Sequence, residues 1–417
     1  MLFAHMSDIH LGFQKQENLQ KIEQQVFENA LDECVRRKVD FILIPGDLFH
    51  VNIPEMRVQK FAFAKFRQIH EKGIPIYVVY GSHDFSPVSN SVIDLLNETG
   101  YITKVTKVAQ STEYNIVLDF TIDPKTGAKI TGLPGLKVGK DEVYYQKLDR
   151  KALEDQTGFK IFLFHGGIDE MKLETDPEAD FMPLSMLPKG FDYYAGGHMH
   201  GFSHQKYENY ANVVYPGTPF AGYHLDLEEN AKGKKRGIVF VEFDDKVKKV
   251  EFVPIQNTEY EIIEIDADKK NSSSVNSELL EKIRTIKPEN KIVIVKIQGE
   301  LTDGKTTDIE FSKIKEELQQ KNVLDIKINR NQLTSREYNI TAAKGKDKNE
   351  IESNIFSENI GEIRSEEASL VGDIGVQTAK RLLKEMTQPI LVNEKKAEYN
   401  KRIEQNAIEI LGLKVEE

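Results

Sequence analysis

The chain has one cysteine, Cys34, and no tryptophan. A single cysteine excludes an internal disulfide framework and any multi-cysteine zinc centre, so a bound metal has to be held by histidine and carboxylate. Cys34 itself falls in a helical pattern that suggests packing rather than thiol chemistry. Nowhere is there a run near the roughly 18 consecutive apolar residues of a membrane helix. Met1 leads directly into a strand-like LFAHMSDIH with no basic segment before it, so a cytoplasmic protein without a membrane segment is expected. Excess positive charge is absent too: the formal charge of -11 argues weakly against a polyanionic partner. Bound divalent cations would reverse that sign locally. Lys232, Lys234, Lys235 and Arg236 in AKGKKRG are the candidate phosphate-binding, and hence DNA-binding, cluster, with a solvated hairpin turn as the plainer reading.

What is present is ordinary globular material. Hydrophobic residues make up 39% and charged residues 29% of 417 positions, a length that exceeds what one core usually serves. Up to about residue 250, short apolar runs alternate with amphipathic helical stretches. DFILI at 40–44, IPIYVVY at 74–80, KIFLF at 160–164 and YYA at 193–195 are β-branched or aromatic, as buried strands require. Beyond about 256 the pattern changes to EYEIIEI, a helix near 274–286, KIVIVKI, a helix near 308–319 and VLDIKI, a small βαβαβ unit. From about 336 the chain turns polar and reads as a linker. Two amphipathic segments follow it. In the last, Tyr399, Ile403, Ala407 and Ile410 recur at three- and four-residue spacing, a stripe that needs a partner surface.

The chemistry gathers at strand ends. Asp8 and His10 follow the first strand, Asp47 and His50 the second, and Ser82, His83 and Asp84 the third; His165 ends the fourth, and His198 and His200 follow the fifth. Side chains two apart in an extended segment point the same way, so Asp8 with His10, and His198 with His200, are each expected to present two ligands to one point. Open α/β sheets place their sites at the carboxyl ends of strands. His5, His70, His204 and His224 read as core or surface residues.

The series D-x-H, G-D-L-F-H, G-S-H-D, H-G and G-H-x-H resembles the calcineurin-like metallophosphoesterase superfamily. Within it, MSDIHLG, VDFILIPGDLFH, YYAGGHMH and VVYPGTPF resemble the DNA double-strand-break repair nucleases called SbcD in bacteria and meiotic-recombination-eleven in archaea and eukaryotes. Phosphoprotein phosphatases of the superfamily carry Asp-Arg-Gly in the second motif, where this chain has Leu48, Phe49 and His50. The implied fold is an α/β, four-layer α-β-β-α sandwich with a small βαβαβ capping domain and a helical C-terminal tail. It divides into a nuclease domain at 1–255, a DNA-binding cap at 256–335, a linker at 336–365 and an ATPase-binding tail at 366–417.

The resemblance also implies a dinuclear centre filled by two Mn(II) ions. Asp8, His10, Asp47 and His200 would hold one, and Asp47, Ser82, His165 and His198 the other, with Asp47 bridging. Mixed nitrogen and oxygen donors suit Mn(II), Fe(II) or Zn(II) better than Mg(II). In the family pattern His83 binds no metal and reaches the scissile phosphate, Asp84 orients it, and His50 helps seat the DNA strand. The implied activity is 3′-to-5′ exonuclease on double-stranded ends and endonuclease on single strands. A homodimer is implied through helices of the nuclease domain, with Phe61, Ile93 and Leu96 as positions that face either the second copy or the core. The tail would dock on the coiled-coil root of an ABC-type ATPase, SbcC or Rad-fifty.

Ser82 departs from the pattern. Related enzymes place Asn there, whose carbonyl reaches the second metal; a serine hydroxyl is shorter and a poorer donor, so a weaker second site is expected. Two other readings stand beside the nuclease: a phosphoesterase of the same superfamily acting on small phosphodiesters or phosphoproteins, and a non-catalytic scaffold that tethers DNA ends.

Overall fold

The computed structural model describes residues 1–86, 90–136, 141–172, 181–255 and 258–335, and beyond these 352, 356–357, 370–389, 391, 394 and 396–412. The expected linker therefore lies almost wholly outside the described residues. The chain forms two compact units, the first made of Met1–Ile265, Ser277–Ile297 and Glu310–Asn331, the second of Asp266–Asn276, Gln298–Ile309 and Gln332–Glu417.

Two six-stranded sheets organise the first unit. One runs in the order Val247–Pro254, Gly237–Phe243, Leu2–His5, Phe41–Pro45, Ile76–Val79, Thr103–Lys104, and its last four strands are parallel. The other runs Ser203–Tyr207, Tyr210–Tyr215, Tyr193–Gly197, Lys160–His165, Lys129–Gly132, Thr121–Ile122, with the middle four parallel. Their apolar runs are buried on both faces, as parallel strands require, and alternation sorts the residues. Phe41, Leu43, Tyr77 and Val79 share one core with Ile161, Leu163 and Tyr193 of the other sheet. Ile42, Ile44, Ile76 and Val78 point the opposite way, onto Phe27, Phe66 and Leu96 of the helices Glu17–Arg37, Met56–Glu71 and Val92–Glu98. Phe162 and Phe164 face a further core with Tyr145, Leu153 and Phe191. The result is the expected α-β-β-α layering.

Helix Glu17–Arg37 buries Leu19, Ile22, Val26, Ala30 and Cys34 at helical spacing and stops where Lys38 turns left-handed, φ 57°. Cys34 is fully buried, and burial pushes its thiol far up. Ile93 and Leu96 are 1% and 0% exposed. They face the sheet, so they are core and not interface positions; Phe61 is half-buried at the edge of the same core.

The third sheet has three strands in the order Glu259–Asp266, Lys291–Leu301, Asp325–Ser335, with the helices Ser272–Thr285 and Phe311–Gln319 between them in sequence. Within the first unit, Ile292 and Ile294 pack with Leu19, Val26, Phe220 and Leu227, and Lys296 pairs with Glu228 at 3.1 Å. In the second unit the helices Gly372–Met386 and Lys396–Leu411 lie against each other. Tyr399 donates to the Gln388 carbonyl at 3.1 Å and Arg402 pairs with Glu394 at 2.7 Å. The stripe Tyr399, Ile403, Ala407 and Ile410 is half-buried, while Ile374, Met386 and Leu391 remain more than half exposed. Among the described residues no helix is long and apolar enough to cross a membrane.

Candidate metal centre

The parallel strands of both sheets deliver their carboxyl ends to one place. Asp8 and His10 follow Leu2–His5, Asp47 follows Phe41–Pro45, His83 follows Ile76–Val79, His165 closes Lys160–His165, and His198 and His200 follow Tyr193–Gly197. Here the local geometry differs from the extended segments expected. Asp8, His10, Asp47 and His198 have φ of 52°, 50°, 49° and 94°, the left-handed region that L-residues rarely adopt. Tight turns, not alternation along a strand, converge these side chains. The turns are knitted together by His10 N–H to the Asp47 carbonyl, 3.0 Å, and Leu11 N–H to the Leu48 carbonyl, 3.0 Å.

Glycines make room for the convergence. A Cβ on Gly81 would stand 2.0 Å from Asp47 Oδ1, one on Gly46 2.4 Å from His165 Nδ1, and one on Gly222 2.4 Å from the His10 ring. In this space the donor atoms of Asp8, His10 and His200, and those of Asp8, Asp47 and His165, lie within 4.8 Å of one another. His198 joins them through its backbone N–H, which donates to both oxygens of Asp8 at 2.9 and 3.0 Å, and its ring lies 5.4 Å from that of His165.

The proton positions suit a metal. His165 Nδ1 donates to the Pro45 carbonyl at 3.0 Å and His200 Nδ1 to Asp226 Oδ2 at 2.7 Å, which makes Nε2 of each ring the atom that would ligate. His200 Nε2 is 3.3 Å from His10 Nε2, two nitrogens facing one point. His165 Nε2 stands 3.3 Å from Asp47 Oδ2, close enough for charge attraction but out of line for a hydrogen bond. Burial pushes Asp47 up, but the neighbouring His165 outweighs it and holds the carboxyl well below its usual range. Burial lowers His165, while Asp47 raises it further, to about 10. Burial pushes Asp8 up and drives His10 well down; His198, buried beside His165, falls to about 4. Buried nitrogen and oxygen donors without thiolate, His165 Nε2 among them without a hydrogen-bond partner, fit a divalent transition metal.

Three residues that the motifs do not carry complete the site. Asp226, on the helix His224–Ala231, receives His200 Nδ1 on the same oxygen that accepts the N–H groups of Gly222, 2.9 Å, and Tyr223, 2.8 Å. Arg236 backs it at 3.0 Å, pairs with Glu229 at 2.7 Å and donates to the His200 carbonyl. Tyr223 lays its ring on His200, centroids 4.9 Å apart and planes at 16°. Each lies at least 23 residues beyond the last histidine motif, where only a fold can connect them to it.

Arg236 is thereby corrected: at 7% exposure, with its guanidinium committed to Asp226 and Glu229, it positions His200 and offers nothing to DNA. Lys232, Lys234 and Lys235 are exposed, the first two on Glu264 at 2.9 Å and Glu229 at 2.8 Å. The part given to Asp84 changes as well. Its carboxylate accepts the N–H groups of Leu48, 3.2 Å, Phe49, 2.9 Å, and Gly81, 3.1 Å, tying two turns of the centre together, and burial followed by the charge of Asp47 raises it to about 7. His83 is oriented instead by the His50 carbonyl, 2.8 Å from its Nδ1, and by Tyr223 Oη, 3.2 Å from its Nε2. The His50 ring stacks on His83 with centroids 4.9 Å apart, and burial lowers it to about 4. Ser82 is half-buried in the turn between Gly81 and His83.

Residues 1–202 match the family model described as calcineurin-like phosphoesterase, a stretch that holds Asp8, His10, Asp47, His165, His198 and His200 of the centre just described. Over a longer stretch the likeness is of the Mre11 and SbcD type. The chain is 25% identical over 307 residues to the DNA double-strand break repair protein Mre11 of Sulfolobus acidocaldarius, covering 72% of this chain and 75% of that protein. It is 27% identical over 284 residues to Mre11 of Methanopyrus kandleri, covering 64% and 60%. To the uncharacterized metallophosphoesterase YhaO of Bacillus subtilis it is 25% identical over 228 residues, covering 52% and 53%.

Proposed function

We propose that the chain is a divalent-metal-dependent DNA nuclease that works at double-strand ends, with 3′-to-5′ exonuclease and single-strand endonuclease activity and two Mn(II) ions per centre. One observation carries the reading: Asp8, His10, His165, His198 and His200 arrive from separate strand ends around Asp47, and His83, whose ring nitrogen also lies near those of His10 and His50, stands at the mouth between the His50 carbonyl and Tyr223. When bound, paired metal ions lower the pKa of a water and neutralise charge on the phosphate. Asp8, His10, Asp47 and His200 would hold one ion and Asp47, Ser82, His165 and His198 the other. His83 Nε2 faces the scissile phosphate and, once the ring has taken up a second proton, assists the departing oxygen, a task suited to imidazole near neutral pH. His50, stacked beside it, seats the strand.

The similarity to Mre11 proteins supports three further proposals: DNA as substrate, a homodimer, and an ABC-type ATPase of the Rad-fifty or SbcC kind as partner. The apolar residues left exposed on the helix Gly372–Met386 and just beyond it, Ile374, Met386 and Leu391, are the surface offered to that partner. Lys232, Lys234 and Lys235 remain the candidate phosphate contacts.

The experiment is nucleotide release from end-labelled linear double-stranded DNA with Mn(II) titrated from none to millimolar. A rate that rises with metal, and falls at least about 100-fold in His83→Gln, supports the nuclease. Hydrolysis of small phosphodiesters without DNA cleavage selects the other phosphoesterase reading. DNA binding with no hydrolysis at any metal level selects the scaffold.

A further inference from the structure

Tyr223 sits at the rim of the metal centre, 48% exposed, yet it is held at three points by three different groups. Its backbone N–H donates to the Asp226 oxygen that also receives His200 Nδ1. Its ring lies on the His200 ring, nearly parallel to it. Its hydroxyl is 3.2 Å from His83 Nε2. A surface tyrosine needs none of these restraints, and together they fix where the phenol oxygen stands. The direction of the hydroxyl contact follows from the other side of the ring. His83 Nδ1 is 2.8 Å from the His50 carbonyl, which can only accept, so Nδ1 carries the hydrogen; in the neutral ring Nε2 then carries a lone pair and Tyr223 is the donor.

The same nitrogen is the one that has to face the substrate. As long as the phenol donates to it, His83 is engaged; a phosphate oxygen entering the mouth meets both groups at once. A hydroxyl has one hydrogen to give, and a negatively charged phosphate oxygen is a stronger acceptor than a neutral imidazole.

We propose that Tyr223 is a further substrate-contacting residue: its hydroxyl holds His83 in place while the site is empty of substrate and transfers its hydrogen bond to a non-bridging phosphate oxygen when a phosphodiester arrives. No bond is made or broken in this exchange. Because the ring is stacked and its backbone tied, the donor is already aimed before substrate enters, as preorganised stabilisation of phosphate charge requires. The proposal deepens the phosphodiesterase reading of the same centre and rests on it.

The test compares wild type, Tyr223→Phe, His83→Gln and the double variant at saturating Mn(II), on end-labelled DNA and on bis(4-nitrophenyl) phosphate. Mn(II) affinity is measured by calorimetry, and the His83 ring nitrogens are observed by 15N NMR in the metal-free protein. Tyr223→Phe keeps the ring and the backbone bond and removes only the donor. It should lower kcat/KM by about 10- to 100-fold, the size of one hydrogen bond to a charged group, leave Mn(II) affinity within about threefold, and shift the His83 Nε2 resonance. The double variant should fall below His83→Gln by a further factor of similar size, because with substrate bound the phenol acts on the phosphate and not through His83. A loss under about threefold, a double variant no slower than His83→Gln, weakened metal binding, or an unmoved Nε2 resonance would each overturn it. Wild type that cleaves bis(4-nitrophenyl) phosphate but not DNA sinks the nuclease reading and leaves the tyrosine test intact. Wild type inactive on both sinks the phosphodiesterase reading and the phosphate contact with it, and the NMR arm alone then decides whether Tyr223 holds His83.

Discussion

At the scale of residues, the second layer of the centre decides how well the first can bind. Asp226 fixes the His200 tautomer, and outer partners of this kind are worth 10- to 100-fold in metal affinity; Asp226→Asn should weaken Mn(II) binding by about that factor in a calorimetric titration. Protons compete at His165. Its pKa is raised from 6.5 to about 10, so in the metal-free protein the attraction to Asp47 is fully present below pH 6.5 and is lost as pH rises through about 10. Metal has to displace that proton. Affinity for Mn(II) should therefore climb about tenfold per pH unit between 6 and 9, with about one proton released per chain into the buffer; a flat profile would contradict the pairing. At position 82, Ser82→Asn supplies a longer side chain with a carbonyl donor. It should lower the Mn(II) concentration needed for half-maximal activity, and an unchanged titration removes Ser82 from the ligand set.

At the scale of elements, the strands that carry the ligands were legible, because β-branched runs ending in Gly, Asp and His have few other uses. DFILI, IPIYVVY, KIFLF and YYA all became strands at or within two residues of the positions read. Less visible was the way the ligands converge. D-x-H in a strand and D-x-H in two left-handed turns have the same letters, and only backbone hydrogen bonds from distant turns distinguish them. Asp226 is one acid in HLDLEENA, and Arg236 one base of four in AKGKKRG; charge density says surface for both, while burial against His200 says otherwise. For the helix Val92–Glu98, spacing allowed both a core and an interface reading of Ile93 and Leu96, and burial chooses the core. Leu96→Ala should accordingly cost about 2–5 kcal/mol in urea unfolding, and the loss should not depend on protein concentration, as it would at a subunit contact.

At the scale of the whole molecule, a net charge of -11 and a buried centre that gathers Asp8 and Asp47 make divalent metal part of the protein's stability. A ligand at about a hundredfold over its dissociation constant stabilises the folded state by about 2.7 kcal/mol. The melting temperature should therefore rise with added Mn(II) and fall with chelator, a comparison that one calorimeter can make. The same dependence reaches beyond the test tube through the four left-handed turns at Asp8, His10, Asp47 and His198. Non-glycine residues in that region cost of order 1–3 kcal/mol each and persist only where their surroundings hold them. Newly made chains that outrun the supply of metal must bear that strain with the hydrogen bonds between the turns alone. They open more often and are the copies that proteases reach first, so the lifetime of this protein in a cell would follow the availability of its metal.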